Sequence, residues 1–126
     1  RGRGSRRRVT EIASLADIPF CYLTTRGRAT GRPHTIEIWF ALEDRTVYLL
    51  SGGGRRSDWV RNLEATPEVH LRLGDIETEA LARIVDDPAE DALARKLVHD
   101  KYARGAELER WRDSALPVAI DISDRR

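Results

Sequence analysis

Apolar and polar residues alternate in pairs along much of this chain. Over residues 34–42, Ile36, Ile38, Phe40 and Leu42 fall on one side and Thr35, Glu37, Trp39 and Ala41 on the other, which is the period of a strand. Val69, Leu71 and Leu73 alternate with His70 and Arg72, and Gly74-Asp75 then reads as a two-residue turn into a long strand over 76–85. Apolar runs at 19–24, at 45–50 (entered through a Glu43-Asp44 turn) and at 117–122 complete six predicted strands. Helical spacing is confined to short stretches. Thr10 caps a turn in which Ile12, Leu15 and Ala16 share a face, and Ser57 caps a helix over 57–65 with Trp59 and Leu63 one turn apart. Asp87-Pro88-Ala89-Glu90 supplies a cap, a first-turn proline and a box acid to a helix running through Leu93, Leu97 and Val98 to about residue 103. A last helix over 107–112 carries Leu108 and Trp111.

Strands joined by hairpins, with helices only at the corners, exclude a Rossmann arrangement, which needs regular βαβ alternation. They predict a mainly β (α+β) fold, an antiparallel barrel or sandwich with short flanking helices. A chain of 126 residues supports one core, so residues 9–126 are read as a single domain. Apolar residues at 40 % and charged residues at 34 % place it among globular rather than disordered chains. The net charge of +1 conceals an asymmetry, because Arg1, Arg3, Arg6, Arg7 and Arg8 crowd one end. Removing these five from the 22 basic residues leaves 17 against 21 acidic ones. Residues 1–8 read as a disordered arginine-rich tail on a mildly acidic body, without the interleaved aromatic residues of a specific nucleic-acid site. With no apolar run of membrane-spanning length, the expectation is a cytoplasmic protein. The single cysteine, Cys21, has no internal disulfide partner, and three dispersed histidines (His34, His70, His99) lack ligand spacing, so no metal site is expected.

Two loops hold the candidate chemistry. Strand 45–50 runs into Ser51, Gly52, Gly53 and Gly54, followed by Arg55, Arg56 and the Ser57 helix. Glycines free the backbone N–H groups to lie against a planar ligand or to cup an anion; a tight connection with surface arginines is the plain alternative. Between the first two strands, residues 24–34 contain three arginines, a histidine, three hydroxyls, two glycines and no acid. That mixture suits phosphate or carboxylate binding, against the plain alternative of a solvated loop. Both loops begin where a strand ends, which favours one shared anionic ligand.

The pattern Thr24-Thr25, Gly27-Arg28, Thr30-Gly31, Pro33, then a strand ending Trp39-Phe40, a strand running into Gly53-Gly54, and Trp59-Val60-Arg61-Asn62-Leu63 with Thr66-Pro67, resembles the deazaflavin-dependent nitroreductase family. The resemblance spans about residues 21–73, with an echo at 117–122. It implies a six-stranded antiparallel split β-barrel of the FMN-binding, pyridoxamine-phosphate-oxidase-like kind. It also implies an oxidoreductase that passes a hydride from reduced deazaflavin coenzyme F-420 to a nitroaromatic, quinone or enone acceptor. Ala29 and His34 stand where many members carry lysine and arginine.

On that resemblance, Thr25, Arg28, Thr30, Arg32 and His34 hold the phosphate and acidic tail. Ser51, Gly52, Gly53 and Gly54 meet the ring, with Trp59 and Asn62 directed down the helix toward the same loop. Glu37 and Trp39 share a strand face and are candidates for the acceptor pocket. His99 and Tyr102, one helical turn apart, are candidate proton donors. Each has a plain reading: Trp59 and Trp39 as core, Asn62 as a helix-surface residue, His99 and Tyr102 as an exposed helical face. Two other functions stay open, an FMN-binding split-barrel oxidoreductase or flavin-binding protein, and a non-enzymatic module that binds nucleic acid or another polyanion. Fold analogy adds the expectation of a homodimer.

Overall fold

In the computed structural model the described residues are 15–102 and 113–122. The arginine tail, the start of the helix predicted at 10–16 and the helix predicted at 107–112 lie outside them. Seven strands form one antiparallel sheet in the order β2-β1-β5-β6-β7-β4-β3. They are β1 (Cys21–Arg26), β2 (Pro33–Ile38), β3 (Ala41–Glu43), β4 (Thr46–Ser51), β5 (Glu68–Leu73), β6 (Ile76–Ile84) and β7 (Leu116–Ile122), with helices α1 (Asp58–Ala65) and α2 (Pro88–Tyr102). A 3-10 turn, Gly54–Arg56, leads from β4 into α1.

The six strands expected are seven because the stretch 34–42 divides at Trp39 and Phe40. Its first part, β2, pairs with β1 at one edge of the sheet, and its second, β3, pairs with β4 at the other. Two residues thus join the opposite edges, so the sheet must curl toward closure, the arrangement that removes exposed edges. The alternation continues through the break: Ile36, Ile38 and Leu42 pack on the interior cluster and Phe40 is fully buried in it, while Ala41 joins a second cluster.

That second cluster explains why β4 reads as a continuous apolar run whereas β5 and β6 alternate. Val47 and Leu49 face the barrel interior with Leu23, Leu71, Val118 and Ile120. Tyr48 and Leu50 point outward, and α2 covers them with Ala94 and Val98. A strand buried on both faces loses its polar positions. The outward residues of β5 and β6 (Arg72, Glu77, Glu79, Leu81) stay exposed.

The turns follow their chemistry. Gly74-Asp75 closes the β5–β6 hairpin with Gly74 at φ +59°. The β3–β4 turn centres on Asp44 and Arg45 rather than Glu43-Asp44, with Asp44 at φ +59°, a conformation aspartate tolerates. Asp87 caps α2 by accepting from the Glu90 N–H (2.9 Å), but Glu90 does not reach back to complete the box. Its carboxylate instead takes a forked contact from Arg83 (2.7 and 2.8 Å) and the Tyr48 hydroxyl (2.7 Å). Arg83 also grips Asp121 (2.6 Å), so this network ties α2 to β4, β6 and β7. Burial and the carboxylate push the Tyr48 phenol well above its usual range, and the Arg83 and Tyr48 hydrogen bonds hold the Glu90 carboxyl down at about 2.

Candidate functional site

The β1–β2 hairpin loop is built around Gly27, whose N–H donates to the Arg32 carbonyl (2.7 Å) and whose own carbonyl accepts from Gly31 N–H (2.8 Å). A side chain at position 27 would meet the His34 ring at 2.7 Å, and Gly31 sits at φ +76°. The loop therefore demands glycine at position 31, while a side chain at position 27 would have to displace the His34 ring and press on the Arg32 carbonyl. Thr30 Oγ1 accepts from the Arg32 N–H (3.2 Å) and braces the loop from within.

Helix α1 packs beside this loop through Asn62, which is 4 % exposed. Its Oδ1 accepts from the Arg28 backbone N–H (3.2 Å) and the Arg28 guanidinium (2.8 Å), and its Nδ2 donates to Thr25 Oγ1 (3.1 Å). Thr25 is 1 % exposed, so this is a buried amide with its oxygen twice bonded and its nitrogen bonded to a buried hydroxyl. The expectation that Asn62 looks toward the glycine loop, or lies on the helix surface, is corrected: it faces the basic loop and locks it to α1. Nothing in the helical pattern marked residue 62 as buried; the one signal was an amide on the apolar side of a short helix.

Arg28, Ala29, Thr30, Arg32, His34, Thr35, Ile36, Asp58, Trp59 and Asn62 line a groove of about 670 Å³ between loop and helix. The two arginines differ. Arg28 is spent in part, its guanidinium reaching Asn62 and the Asp58 carboxylate (3.1 Å). The Arg32 guanidinium has no hydrogen-bond or ion-pair partner among the described residues. Trp59 satisfies both readings, because it packs on the barrel core and also lines the groove.

Ser51, Gly52, Gly53 and Gly54 approach α1 at its N-terminal end but do not line this groove. The loop's glycines have local reasons. A Cβ on Gly53 would lie 2.5 Å from Ser57 Oγ, and Gly54 sits at φ +62°. Ser57 occupies the N-cap position, yet its hydroxyl makes no cap bond. It pairs with Ser51 Oγ (2.9 Å), and Ser51 also donates to the Gly54 carbonyl (3.0 Å). The predicted cap is thus diverted to hold the glycine loop against the helix start.

Four further candidates lie away from the groove's lining. Glu37 accepts from the Tyr22 hydroxyl (3.1 Å) on the outer face of β1 and β2, where Arg72 stacks on the Tyr22 ring. Trp39 stacks parallel on Tyr102, ring centroids 4.4 Å apart. Tyr102 is no exposed helical face. Its hydroxyl accepts from the Phe40 N–H (3.1 Å) and lies within donating distance of the Pro19 (2.7 Å) and Phe40 (3.0 Å) carbonyls, so it seals the β2–β3 break against α2. Burial pushes its phenol up further, and a hydroxyl so committed is a poor proton donor. His99, largely buried on α2, meets the carboxylate of its neighbour Asp100 (3.5 Å).

Around Tyr102, Lys101 donates to the Ile18 carbonyl (2.8 Å) and its ammonium sits 3.5 Å from the Phe40 ring centroid. Burial lowers its pKa to about 8 and raises that of the Cys21 thiol to about 12, so Cys21 is an inert core residue. Among the described residues no group of histidines, cysteines and carboxylates has the geometry to hold a metal ion. No helix among them is long and apolar enough to cross a membrane.

The groove's donor set, one guanidinium without a partner among the described residues, a second shared one, hydroxyls and an indole wall, fits an anionic ligand with a flat ring. Comparison with known proteins agrees. The model of the F420H(2)-dependent quinone reductase family matches residues 3–123. Among solved structures, an F420-H2 dependent reductase (FDR-A) is 24 % identical over 84 % of this chain and 95 % of its own, with a TM-score of 0.69. A protein from Listeria innocua described as a pyridoxamine 5′-phosphate oxidase shares the split-barrel fold at 16 % identity, 92 % and 94 % coverage and TM-score 0.69. A domain-swapped dimer is 23 % identical, with 94 % and 96 % coverage and TM-score 0.68. The curled antiparallel sheet, the groove and the match over nearly the whole chain converge: this chain belongs to the F420H(2)-dependent quinone reductase family, oxidoreductases that draw their hydride from coenzyme F-420.

Proposed function

We propose that the groove between the β1–β2 loop and α1 holds coenzyme F-420, and that the reduced coenzyme serves a quinone-class acceptor. The observation that carries this reading is Arg32, a guanidinium without a partner among the described residues, on the wall of a groove with an indole beside it. An unpaired guanidinium suits a phosphate, to which it donates in a planar fork. Arg28 and the Thr30 hydroxyl assist, and the buried Thr25–Asn62 pair keeps the loop in place. The Ser51–Ser57 bond keeps the glycine loop at the start of α1, beside the groove but outside its lining, so Gly52, Gly53 and Gly54 meet a ring only where it extends past the groove. Trp59 gives the ring an apolar wall.

When bound, the coenzyme supplies the hydride; the protein's part is to bind, orient and exclude water. No side chain lining the groove is an evident proton donor except His34, whose ring lies against Gly27. Neither Glu37 nor Trp39 lines the groove, so the acceptor's pocket is sought beside Ile36 and Trp59 instead. The domain-swapped relative supports pairing of two copies as a further proposal, which sedimentation velocity checks. Action in the cytoplasm is a further proposal, which cell fractionation checks.

The test is an anaerobic titration of the purified protein with F-420 and with FMN, followed by oxidation of reduced F-420 in the presence of a quinone, a nitroaromatic or an enone. Saturable F-420 binding with fastest turnover on the quinone is expected. Binding of FMN alone would move the chain to the flavin-binding alternative.

A further inference from the structure

The outer face of the sheet at β2, β1, β5 and β6 is laid out in cross-strand rows, and the rows are not alike. In the first, the Tyr22 hydroxyl donates to Glu37 (3.1 Å) and Arg72 lies over the Tyr22 ring. In the second, Thr24 and Thr35 share a hydrogen bond (2.7 Å) and His70 meets Glu79 (3.3 Å). The third row begins with Pro33 opposite Arg26 and ends with Glu68 opposite Leu81. All four are exposed, and neither the Arg26 guanidinium nor the Glu68 carboxylate has a hydrogen-bond or ion-pair partner among the described residues. Opposite charges on facing strands ordinarily close on each other. Here they do not: β1 and β5 pair through three residues, the last being Thr24 with His70, and the register that would set Arg26 against Glu68 is not continued. A cleft of about 540 Å³ opens at that point, with Arg26 and Pro33 on one side and Glu68, Val69 and Glu79 on the other. It shares no lining residue with the groove at α1.

We infer that this cleft is a second binding site, for an α-amino acid in its zwitterionic form with an apolar side chain. One arginine against two carboxylates does not suit an anion, so the cleft is no extension of the basic groove. Its walls carry opposite charges instead. A guanidinium takes a carboxylate in a planar fork, and a carboxylate accepts from an ammonium, which has only donors. Glu79 is already engaged by His70, which leaves Glu68 as the ammonium's partner. An α-amino acid bears both charges on neighbouring atoms of one short unit. It therefore bridges two side chains set on facing strands, whose backbones ordinarily lie about 5 Å apart, where a ligand with widely separated charges would overshoot. Pro33 beside Arg26, and Leu81, exposed beyond Glu68, give its side chain apolar contact.

The test is a two-dimensional amide NMR titration at neutral pH and low salt with L-leucine, leucinamide and N-acetyl-leucine, the last two each lacking one of the charges. Leucine should give saturable shift changes at Thr24, Arg26, Glu68 and Val69 and leave Arg28, Arg32 and the Trp59 indole in place. Each analogue should bind about two- to fivefold more weakly, the range for one exposed charge pair. Arg26→Gln should erase the difference between leucine and leucinamide and keep that between leucine and N-acetyl-leucine; Glu68→Gln should do the converse. A substitution that merely disturbed the sheet would weaken all three ligands alike. Shift changes that never saturate, or that fall outside the cleft, overturn the assignment, as does a ratio of leucine to leucinamide unchanged in Arg26→Gln. Shift changes at the same residues that grow with protein concentration alone would give the cleft to a second copy of the chain, and overturn it too. None of these readouts needs a coenzyme, so they stand apart from the reading of the groove.

Discussion

The groove at α1 and the junction at the end of α2 are made of the same materials. Each combines a long cation, a tryptophan and hydroxyl groups from distant parts of the chain. At the junction every such group is used: Tyr102 bonds to the backbone at Phe40 and Pro19, Lys101 to Ile18 and the Phe40 face, and Trp39 stacks on Tyr102. In the groove one guanidinium has no partner among the described residues, another is shared, and an indole is left half open. Residue type does not separate the two regions; unspent hydrogen-bonding capacity does. A polar group whose bonds are complete stabilises the fold, and one whose bonds are incomplete has something to offer a ligand.

The largest effect that would sharpen this contrast lies at the junction. Tyr102→Ala should lower the free energy of unfolding by about 3–5 kcal/mol, the usual cost of truncating a packed aromatic side chain, and Tyr102→Phe by about 1–3 kcal/mol through the unpaired Phe40 N–H. Denaturant unfolding measures both, and F-420 affinity of the folded Tyr102→Phe protein should match the parent. A proton-donor role would show the reverse, intact stability with lost turnover. In the groove, Arg32→Ala should weaken F-420 binding by about 1.5–3 kcal/mol, the range of a charged hydrogen bond, while stability moves by less than about 0.5 kcal/mol. A loss of stability without loss of binding would make Arg32 another structural residue.

Two smaller effects concern pH. Glu90 titrates at about 2 when folded, below its ordinary 4.5. Its contribution is therefore present above pH 4.5 and lost as pH falls toward 2. Acid titration of stability should lose on the order of 1 kcal/mol of that slope in Glu90→Gln, the contact being partly exposed. His70 bridges Glu77 (2.8 Å) and Glu79 (3.3 Å) across the β5–β6 hairpin. The Glu77 hydrogen bond chiefly raises its pKa, against the pull of burial. Its contribution is present below the unfolded pKa, near 6.5, and fades as pH rises through the higher folded value. His70→Gln should remove a few tenths of a kcal/mol at pH 5.5 and nothing at pH 9, by thermal denaturation.

The strands were legible wherever one face is wet: β5 and β6 alternate as their sequence does, and Gly74-Asp75 turns where it reads as a turn. The break between β2 and β3 was not, because alternation persists through Trp39 and Phe40 while only the pairing partner changes, and pairing is a long-range property. The basic loop was legible as an anion site from arginine and glycine content. Its division into a partly spent Arg28 and an Arg32 without a partner among the described residues depends on Asn62 and Asp58, some thirty residues onward in sequence. Ser57 shows the same limit: a hydroxyl with the spacing of a cap found a better partner in Ser51 across the loop.

The most direct measurement is a two-dimensional amide and indole NMR titration of the protein with F-420. Shift changes should concentrate at Arg28, Thr30, Arg32, the glycine loop and the Trp59 indole, and leave Tyr102, Trp39 and Glu37 in place. Changes centred instead on Trp39 and Tyr102, with the β1–β2 loop unmoved, would contradict the assignment of the groove as the coenzyme site.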